Sequence, residues 1–369
     1  MARQEPPHFL PGCPPDPARL NPAMAEVLVP WFRAVARDFP WRRSQAPYAI
    51  WVSEVMLQQT TTATVIPYFH RFMQAFPNVE ALAAASDESV LRLWEGLGYY
   101  RRCRAMLAAA RLLVAAGHSN LPDNPEILAS LPGMGDYTRN AVLSQAFDRS
   151  VPIVEANSRR VLARLMGLND DPARPPASKW LWQCATALVP EKNAGAFNQA
   201  LMELGGTVCL PSQPACLVCP VRPMCQAAQQ GEADRIPHKT PRPAITKVES
   251  VGLALRHKNC WLLRQCPAGA RREGLWEFPH EQIDDDSKPI QCAEAFLRAI
   301  VAEQQPVLPA GSHDHSITRY RVRIHLFTAD IKKGALLGEG RWIPEVEMAE
   351  LPMSAPHRRI WNHLQQAPS

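Results

Sequence analysis

Four cysteines form the most distinctive local pattern in the sequence. Cys209, Cys216, Cys219 and Cys225 follow the spacing C-x6-C-x2-C-x5-C, whereas the other cysteines of the chain are scattered. Thiolates this close together are typical ligands of a 4Fe–4S cluster or of a zinc ion. Structural zinc sites usually contain two Cys-x-x-Cys pairs, and this loop has one. The spacing predicts a metal centre, with four unmetallated thiols as the plainer alternative.

A single carboxylate stands in an apolar helical stretch. Glu54 is followed by Val55, Met56 and Leu57. A glutamate desolvated by such neighbours keeps its proton to higher pH and can act as a general acid. Most glutamates on helices simply face solvent, so Glu54 on its own is a weak signal.

Two glycine-rich turns could contact nucleic acid. In Leu131–Asp136, Gly133 and Gly135 allow a tight turn with exposed backbone amides, and Asp136 can cap the following helix. Such a turn binds a phosphate without reading a base, although an ordinary helix–helix connection has the same appearance. In Gly96–Arg102, two tyrosines and two arginines follow the turn. These residues could wedge into a duplex and hold phosphates, or could only end a helix.

Helices must position these residues, and the sequence shows helical periodicity around them. It extends from residue 24 to 226, where apolar residues recur at three- and four-residue spacing. We expect a disordered Pro-rich tail at 1–23 and an extended basic linker at 227–247. Residues 248–369 alternate in the manner of strands and contain two helical stretches, 291–303 and 355–365. The predicted fold is a mainly α domain followed by a smaller α+β domain. The expected strands are 248–255, 260–264, 320–329 and 341–343.

Composition narrows the class of protein. The chain has 369 residues, 46% of them hydrophobic, and a formal net charge of +5. No run of 18 apolar residues is present, which argues against a membrane-spanning protein. The N-terminal residues lack an apolar signal-peptide core, so a cytoplasmic location is expected. The positive charge is compatible with a nucleic acid partner but does not establish one.

Together these motifs resemble the helix-hairpin-helix glycosylases, and within them the MutY-type adenine DNA glycosylases. The resemblance covers nearly all of residues 24–225. It rests on the cysteine spacing and on five stretches, Ser53–Thr60, Thr64–Phe69, Leu93–Tyr100, Leu131–Gly135 and Phe197–Ala200. It implies that the four cysteines hold a 4Fe–4S cluster. It also implies a bacterial enzyme of base excision repair, located at the nucleoid when bound to DNA.

The resemblance also assigns roles to individual residues. Glu54 would protonate the adenine that is flipped out of the duplex, and a second carboxylate, Glu155, would stabilise the sugar cation with support from Tyr137 and Asn157. Arg42 and Gln199 would contact the adenine. The residues expected to wedge into the base stack beside the oxidised guanine are Gln59, Leu97 and Tyr99. Gly133 and Gly135 would bind the DNA backbone. Tyr137 occupies the place of the lysine found in endonuclease III-type relatives. A phenol forms no Schiff base, so a monofunctional enzyme is expected.

The sequence departs from the family pattern in three places. Glu155-Ala156-Asn157 stands where the family has Asp-Gly-Asn, and Leu210–Ala215 of the cysteine loop has no basic residue. The C-terminal region resembles the Nudix-like domain of these enzymes through Gly274–Pro279. It lacks the glutamate-rich box of active Nudix hydrolases, so recognition without hydrolysis is expected. Thr318, in Ile317-Thr-Arg319, takes the place of the serine in the Phe-Ser-His loop that reads oxidised guanine.

Three functions therefore compete. The favoured one is removal of adenine paired with 8-oxoguanine or guanine in double-stranded DNA, by a protein expected to be a monomer. The second is a glycosylase of the same fold that removes thymine or uracil opposite guanine. The third is a weakly catalytic protein that binds lesions, against which the presence of Glu54 argues.

Overall fold

The computed structural model describes residues 7–11, 16–238, 240–241, 244–284, 286–303 and 305–366. In these ranges the helices are α1 Pro17–Val35, α2 Pro47–Leu57, α3 Thr62–Ala75, α4 Val79–Ala84, α5 Asp87–Trp94, α6 Tyr100–Ala115, α7 Pro125–Ser130, α8 Asp136–Phe147, α9 Ala156–Met166, α10 Ala177–Leu188, α11 Ala194–Thr207, α12 Gln226–Gln229, α13 Pro289–Ile300 and α14 Ala355–Gln366. The strands are β1 Thr246–His257, β2 Cys260–Gln265, β3 Trp276–Glu277, β4 His280–Ile283, β5 Leu308–Ile317, β6 Tyr320–Asp330 and β7 Arg341–Pro344. None of the helices in the described ranges is both long enough and apolar enough to cross a membrane.

The chain divides into two compact units. The first unit contains the described residues up to Ala83 together with Ala108–Pro241, and the second contains Ala84–Leu107 and the described part of Arg242–Ser369. The first is helical and the second is built on a sheet, which confirms the predicted fold class. The division differs from the predicted domain boundaries, because residues 84–107 were expected within the helical domain.

Contacts within the second unit explain this difference. Glu95, which directly follows α5, accepts hydrogen bonds from Nε of Arg358 at 2.7 Å and from the backbone N–H of Met353 at 3.1 Å. The guanidinium of Arg104 on α6 donates to the carbonyl of Glu273. Hydrophobic periodicity cannot predict these polar contacts, because they join residues up to 263 positions apart in the sequence.

The first helix begins earlier than predicted. Asp16 caps α1 by accepting from the amide of Ala18 at 3.0 Å, and Pro17 occupies the first turn, where its missing N–H costs nothing. The predicted helix began at residue 24 because a proline such as Pro22 usually interrupts a helix. The predicted disorder of the tail is therefore wrong for residues 17–23. Residues 1–6 and 12–15 of that tail, and residues 239, 242 and 243 of the predicted linker, lie outside the described residues.

Four helices of the first unit carry the chemistry-bearing residues. Every residue of α2 from Tyr48 to Met56 is buried, and α2 packs on α8. Helix α11 packs against α1, α8 and α9. The contact of α11 with α9 requires glycine, because a Cβ at Gly205 would come within 2.6 Å of the Cβ of Asn157. This close packing brings the N-terminal end of α9 to the side of α11.

The second unit is a mixed sheet with the strand order β3-β2-β1-β6-β5, in which β4 also pairs with β1 and β7 with β2. The central strands β1 and β6 are parallel, and β5 and β6 form an antiparallel hairpin. Phe296 and Leu297 of α13 pack against one face of the sheet, and Ile360 and Trp361 of α14 belong to a second apolar cluster. The four predicted strands and two predicted helices are present. The strands β3, β4 and β5 and the short helices α4 and α12 were not predicted, and most of α12 lies within the predicted linker.

Candidate active site

A cavity of about 310 Å³ opens in the first unit, within the usual size range of ligand pockets. The chemistry-bearing side chains that line it come from five elements. They are Arg42 of the 3-10 turn Pro40–Arg42, Glu54 of α2, Tyr137 and Gln145 of α8, Glu155 and Asn157 at the start of α9, and Gln199 and Glu203 of α11. The cavity therefore brings together all six residues that the sequence analysis assigned to catalysis or adenine contact.

Glu54 lies on the cavity wall and is only 2% exposed. Its Oε2 accepts a hydrogen bond from the hydroxyl of Tyr137, and its Oε1 accepts one from Nε2 of Gln145 at 2.8 Å. Burial raises the pKa of Glu54, and the two donated hydrogen bonds offset part of that shift. Burial also raises the pKa of Tyr137 well above its usual value, so the phenol remains a neutral donor. Glu54 thus has the environment of a general acid.

Glu155 both caps a helix and lines the cavity. It is the N-cap of α9, where its side chain accepts from the amide of Ser158 at 2.8 Å while the hydroxyl of Ser158 accepts from the amide of Glu155. The same carboxylate lines the cavity. Burial raises its pKa, and hydrogen bonds from the amides of Asn157 and Ser158 oppose the shift. Glu155 therefore combines a capping contact with a place on the cavity wall.

A third carboxylate was missed by the sequence analysis. Glu203 has a side chain with no exposed surface and accepts from Arg37 at 2.6 Å and from Nη1 of Arg42 at 3.0 Å. Burial opposes its ionisation, but the donated hydrogen bonds and charges of the two arginines lower its pKa. The guanidinium of Arg42 also lies over the ring of Phe39, 4.8 Å from its centroid. A glutamate among apolar residues was a readable signal here, as it was at Glu54.

Asn157 connects the cavity to the cysteine loop. Its Oδ1 accepts from Nη2 of Arg160 at 3.0 Å, and Arg160 also donates to the carbonyls of Gly205 at 2.7 Å and Cys209 at 2.8 Å. Gln199 lines the cavity from the neighbouring helix. The side chain of Asn157 is therefore held by a buried cation that also fixes the first cysteine of the loop.

The glycine turn before α8 has the expected shape with one correction. Gly133 has a φ of 74°, and Gly135 is the N-cap of α8 with no side-chain cap. Asp136 was expected to cap this helix but occupies its first position, where its carboxylate pairs with Arg139 at 3.0 Å. The first amides of α8 have no side-chain partner at Gly135, as a phosphate-binding turn requires.

Three predicted DNA-contacting residues share an unusual backbone. Gln59, Tyr99 and Thr318 have positive φ values of 59°, 50° and 51°, and each is exposed. Non-glycine residues adopt this conformation rarely, and often where function imposes it. Leu97 differs, because it is buried and only 6% exposed, whereas Tyr99 is 44% exposed. Of the predicted wedge residues, Tyr99 is therefore accessible in this structure and Leu97 is buried.

Thr318 lies at the tip of the β5–β6 hairpin. The register pairs Ile317 with Tyr320, so Thr318 and Arg319 form the two-residue turn, and both are exposed. The hydroxyl of Thr318 donates to the carbonyl of Ile317 at 2.7 Å. The glutamate-rich box of active Nudix hydrolases has no counterpart in α13, whose only acidic residue is Glu294.

A group of potential metal ligands occurs elsewhere in the second unit. Ligand atoms of Glu277, His280 and His357 lie within 4.8 Å of one another. However, Nδ1 of His357 accepts from the backbone N–H of Phe278 at 3.2 Å. The neutral ring must then carry its proton on Nε2, the atom that faces Glu277 at 3.7 Å. At 3.7 Å this nitrogen makes no hydrogen bond to Glu277, and because it carries the proton it has no lone pair to offer a metal ion.

The four cysteines of the loop surround a small apolar cavity in the first unit. Arg164, almost wholly buried, donates to Sγ of Cys209 at 3.2 Å and to the carbonyl of Leu210 at 2.6 Å. Four thiols around one cavity, with a buried cation donating to one of them, form a donor set that fits a thiolate-bound metal centre.

Comparison with known proteins places both units in families. Residues 52–185 match the family model of the HhH-GPD superfamily of base excision DNA repair proteins, and residues 250–363 match that of the NUDIX domain. A solved structure of a thermostable thymine-DNA glycosylase superposes with a TM-score of 0.52 at 26% identity, over 57% of this chain and 98% of that one.

Two curated relatives carry the name adenine DNA glycosylase. The protein from Mus musculus is 42% identical over 65% of this chain, but the match spans only 47% of its own length. The chain thus covers about half the length of this relative. The protein from Buchnera aphidicola subsp. Acyrthosiphon pisum is 31% identical over 69% of this chain and 73% of its own length. This chain belongs to the family of MutY-type adenine DNA glycosylases.

Proposed function

We propose that the protein is a monofunctional adenine DNA glycosylase that removes adenine paired with 8-oxoguanine, or with guanine, in duplex DNA. One observation carries the proposal: the buried carboxyl of Glu54 and the carboxylate of Glu155 line a single cavity together with Tyr137, whose hydroxyl donates to Glu54. Cleavage of an N-glycosidic bond needs a proton for the leaving base and a negative charge for the sugar. This cavity supplies both.

The proton would come from Glu54. Adenine flipped out of the duplex would enter the cavity, where burial raises the pKa of Glu54 and so favours the protonated carboxyl that transfers its proton to a purine ring nitrogen. Arg42 and Gln199 would bind the base. Because Glu203 holds the guanidinium of Arg42 at 3.0 Å, the orientation of this contact is fixed before the base arrives.

The sugar cation would be stabilised by Glu155. The capping contacts with Ser158 fix this carboxylate at the N-terminal end of α9, and Asn157 next to it is fixed by Arg160. Preorganised charge of this kind stabilises the transition state without reorganisation during the reaction. Tyr137 offers no amine for a Schiff base, which supports base removal without strand cleavage.

Duplex DNA would be bound by the two turns and the hairpin already described. The amides at the N-terminal end of α8, with Gly133 and Gly135, would hold a phosphate, and Gln59 and Tyr99 would enter the base stack. Thr318 at the hairpin tip would contact 8-oxoguanine. The absence of basic side chains from Leu210–Ala215 leaves the cysteine loop a weak phosphate contact.

A thymine glycosylase is the second candidate. The likeness to the thermostable thymine-DNA glycosylase supports it. The buried proton donor argues for adenine, because a purine has basic ring nitrogens available for protonation whereas thymine has none. Tyr137 is compatible with either base.

The decisive experiment is a single-turnover assay on a panel of duplexes. We expect base release from adenine opposite 8-oxoguanine, slower release from adenine opposite guanine, and none from thymine or uracil opposite guanine. Product strands should break only after alkaline treatment, because the abasic site is left intact. Release of thymine in preference to adenine would reject the proposed substrate, and strand cleavage without alkali would reject the monofunctional reaction.

We further propose that Cys209, Cys216, Cys219 and Cys225 hold a 4Fe–4S cluster. The four thiols line one small apolar cavity, and their sequence spacing, with a single Cys-x-x-Cys pair, differs from the two pairs usual in structural zinc sites. A bound cluster would link the four cysteines of the loop. Arg164 donates to Sγ of Cys209, and Arg160 donates both to the carbonyl of Cys209 and to Oδ1 of Asn157. A rigid loop would therefore also hold Asn157 in place.

Iron analysis tests this assignment. Protein purified without oxygen should be brown and contain about four irons per chain. Cys216→Ser should lose most of the iron, because one of four ligands is removed, whereas the control Cys260→Ser on β2 should retain it. Stoichiometric zinc without iron, or equal iron content in the two variants, would contradict the assignment.

A further inference from the structure

Gln145 is the one hydrogen-bonding neighbour of Glu54 that the sequence analysis and the proposed mechanism leave without a role. It lies on α8, two helical turns after Tyr137, and lines the same cavity. Its Nε2 donates to Oε1 of Glu54 at 2.8 Å. A side-chain amide that reaches a buried carboxyl is energetically significant, since hydrogen bonds to buried charged groups are among the strongest in proteins.

The two donors to Glu54 differ in what they can do. The amide nitrogen of Gln145 only donates, whereas the phenol of Tyr137 both donates and accepts. Oε1 is therefore held as an acceptor in either protonation state. Oε2 contacts a hydroxyl that can rotate when a proton arrives.

We propose that Gln145 is a positioning residue for the acid: its amide fixes Oε1 of Glu54 and so directs the transferable proton to Oε2, beside Tyr137. This inference rests on the proposed function, because it assumes that Glu54 donates a proton. It adds to that function the residue that decides which oxygen carries the proton.

The inference has a consequence for pH dependence. Several groups face Glu54: Tyr137 and Gln145 from α8, Glu155 from the N-terminal end of α9, and Arg42 from the turn Pro40–Arg42. Donation from Gln145 favours the ionised carboxylate, so its removal should raise the pH at which Glu54 loses its proton. The magnitude expected for a hydrogen bond to a charged group corresponds to about one to two pH units.

The test uses Gln145→Met, which keeps the side-chain length and removes the donor, with Gln145→Leu as a second variant. The matched control is Gln183→Met at an exposed position of α10. Single-turnover rates on duplex containing adenine opposite 8-oxoguanine are measured across pH. We expect the fall in rate at high pH to move upward by about one unit or more in both Gln145 variants, and the plateau rate to drop by up to about a hundredfold.

A second measurement separates this inference from the proposed function. The full-length protein carries ¹³C-labelled glutamate carboxyls, and the resonance of Glu54 is identified by its loss in Glu54→Gln. Without any DNA, the titration midpoint of that resonance should rise in Gln145→Met and stay unchanged in Gln183→Met. An unchanged midpoint in a folded Gln145 variant would overturn the positioning role whatever the enzyme cleaves. A raised midpoint in a protein that releases no adenine would support this role and reject the proposed function instead.

Discussion

Glu54→Gln should lower the single-turnover rate of adenine release by at least about a hundredfold, and by up to about 10⁴-fold. The substitution replaces a buried carboxyl by an amide of nearly the same shape. The amide can still accept from Tyr137 or Gln145, but it has no proton of suitable acidity to give to the base. Binding to the duplex should change little, because Glu54 is no phosphate contact.

Three measurements make this test specific. Rates are compared with those of Glu80→Gln, an exposed glutamate at the start of α4, which should behave as wild type. Duplex affinity and the unfolding temperature are measured for both variants. If Glu54→Gln binds DNA and keeps a rate within about threefold of wild type, a general acid worth the usual hundredfold or more is excluded, and the proton must come from another group.

The residues that line the cavity could be predicted from the sequence where each stands in a short motif. Glu54 and Tyr137 each fall in a contiguous family pattern, and Glu155 was placed in one despite the methylene that distinguishes it from aspartate. Gln145 was missed because its importance depends on a contact between two helices distant in sequence. Glu203 stands among apolar residues, as Glu54 does, but lies outside the stretches that carry the resemblance, and its partners are also distant in sequence. Gln145 reaches Glu54 from 91 positions away, and Glu203 pairs with Arg37 from 166.

The fold, too, could be predicted only where neighbouring residues in the sequence determine the structure. Periodicity located the long helices and the four strands with alternating apolar residues. It failed for β5, whose sequence contains Pro309, Gly311 and a run of polar residues, because an edge strand needs few apolar contacts. It also failed for the boundary between the units, where the Glu95–Arg358 pair groups α5 with the sheet domain. The burial of Leu97 could not be predicted for a related reason, since burial of one side chain in a turn depends on the packing around it.

Glu155 is the position where this chain departs most clearly from its family, and its two roles can be separated. As N-cap of α9 it needs only an oxygen that accepts from the amide of Ser158. As the partner of a sugar cation it needs a negative charge. Glutamine keeps the oxygen and removes the charge, and aspartate keeps both on a shorter side chain that is itself a preferred N-cap.

Glu155→Gln should therefore lower the rate of adenine release by about a hundredfold or more, while the unfolding temperature stays close to that of wild type. Glu155→Asp should retain most of the activity, and exceeds wild type if the backbone leaves the shorter carboxylate within reach of the sugar. The charge of Glu155 also raises the pKa of Glu54, because like charges disfavour ionisation. In Glu155→Gln the fall in rate at high pH should then move to lower pH, opposite to the shift expected for Gln145→Met. A Gln variant as fast as wild type, with an unshifted pH profile, would remove Glu155 from the mechanism and leave it only the capping of α9.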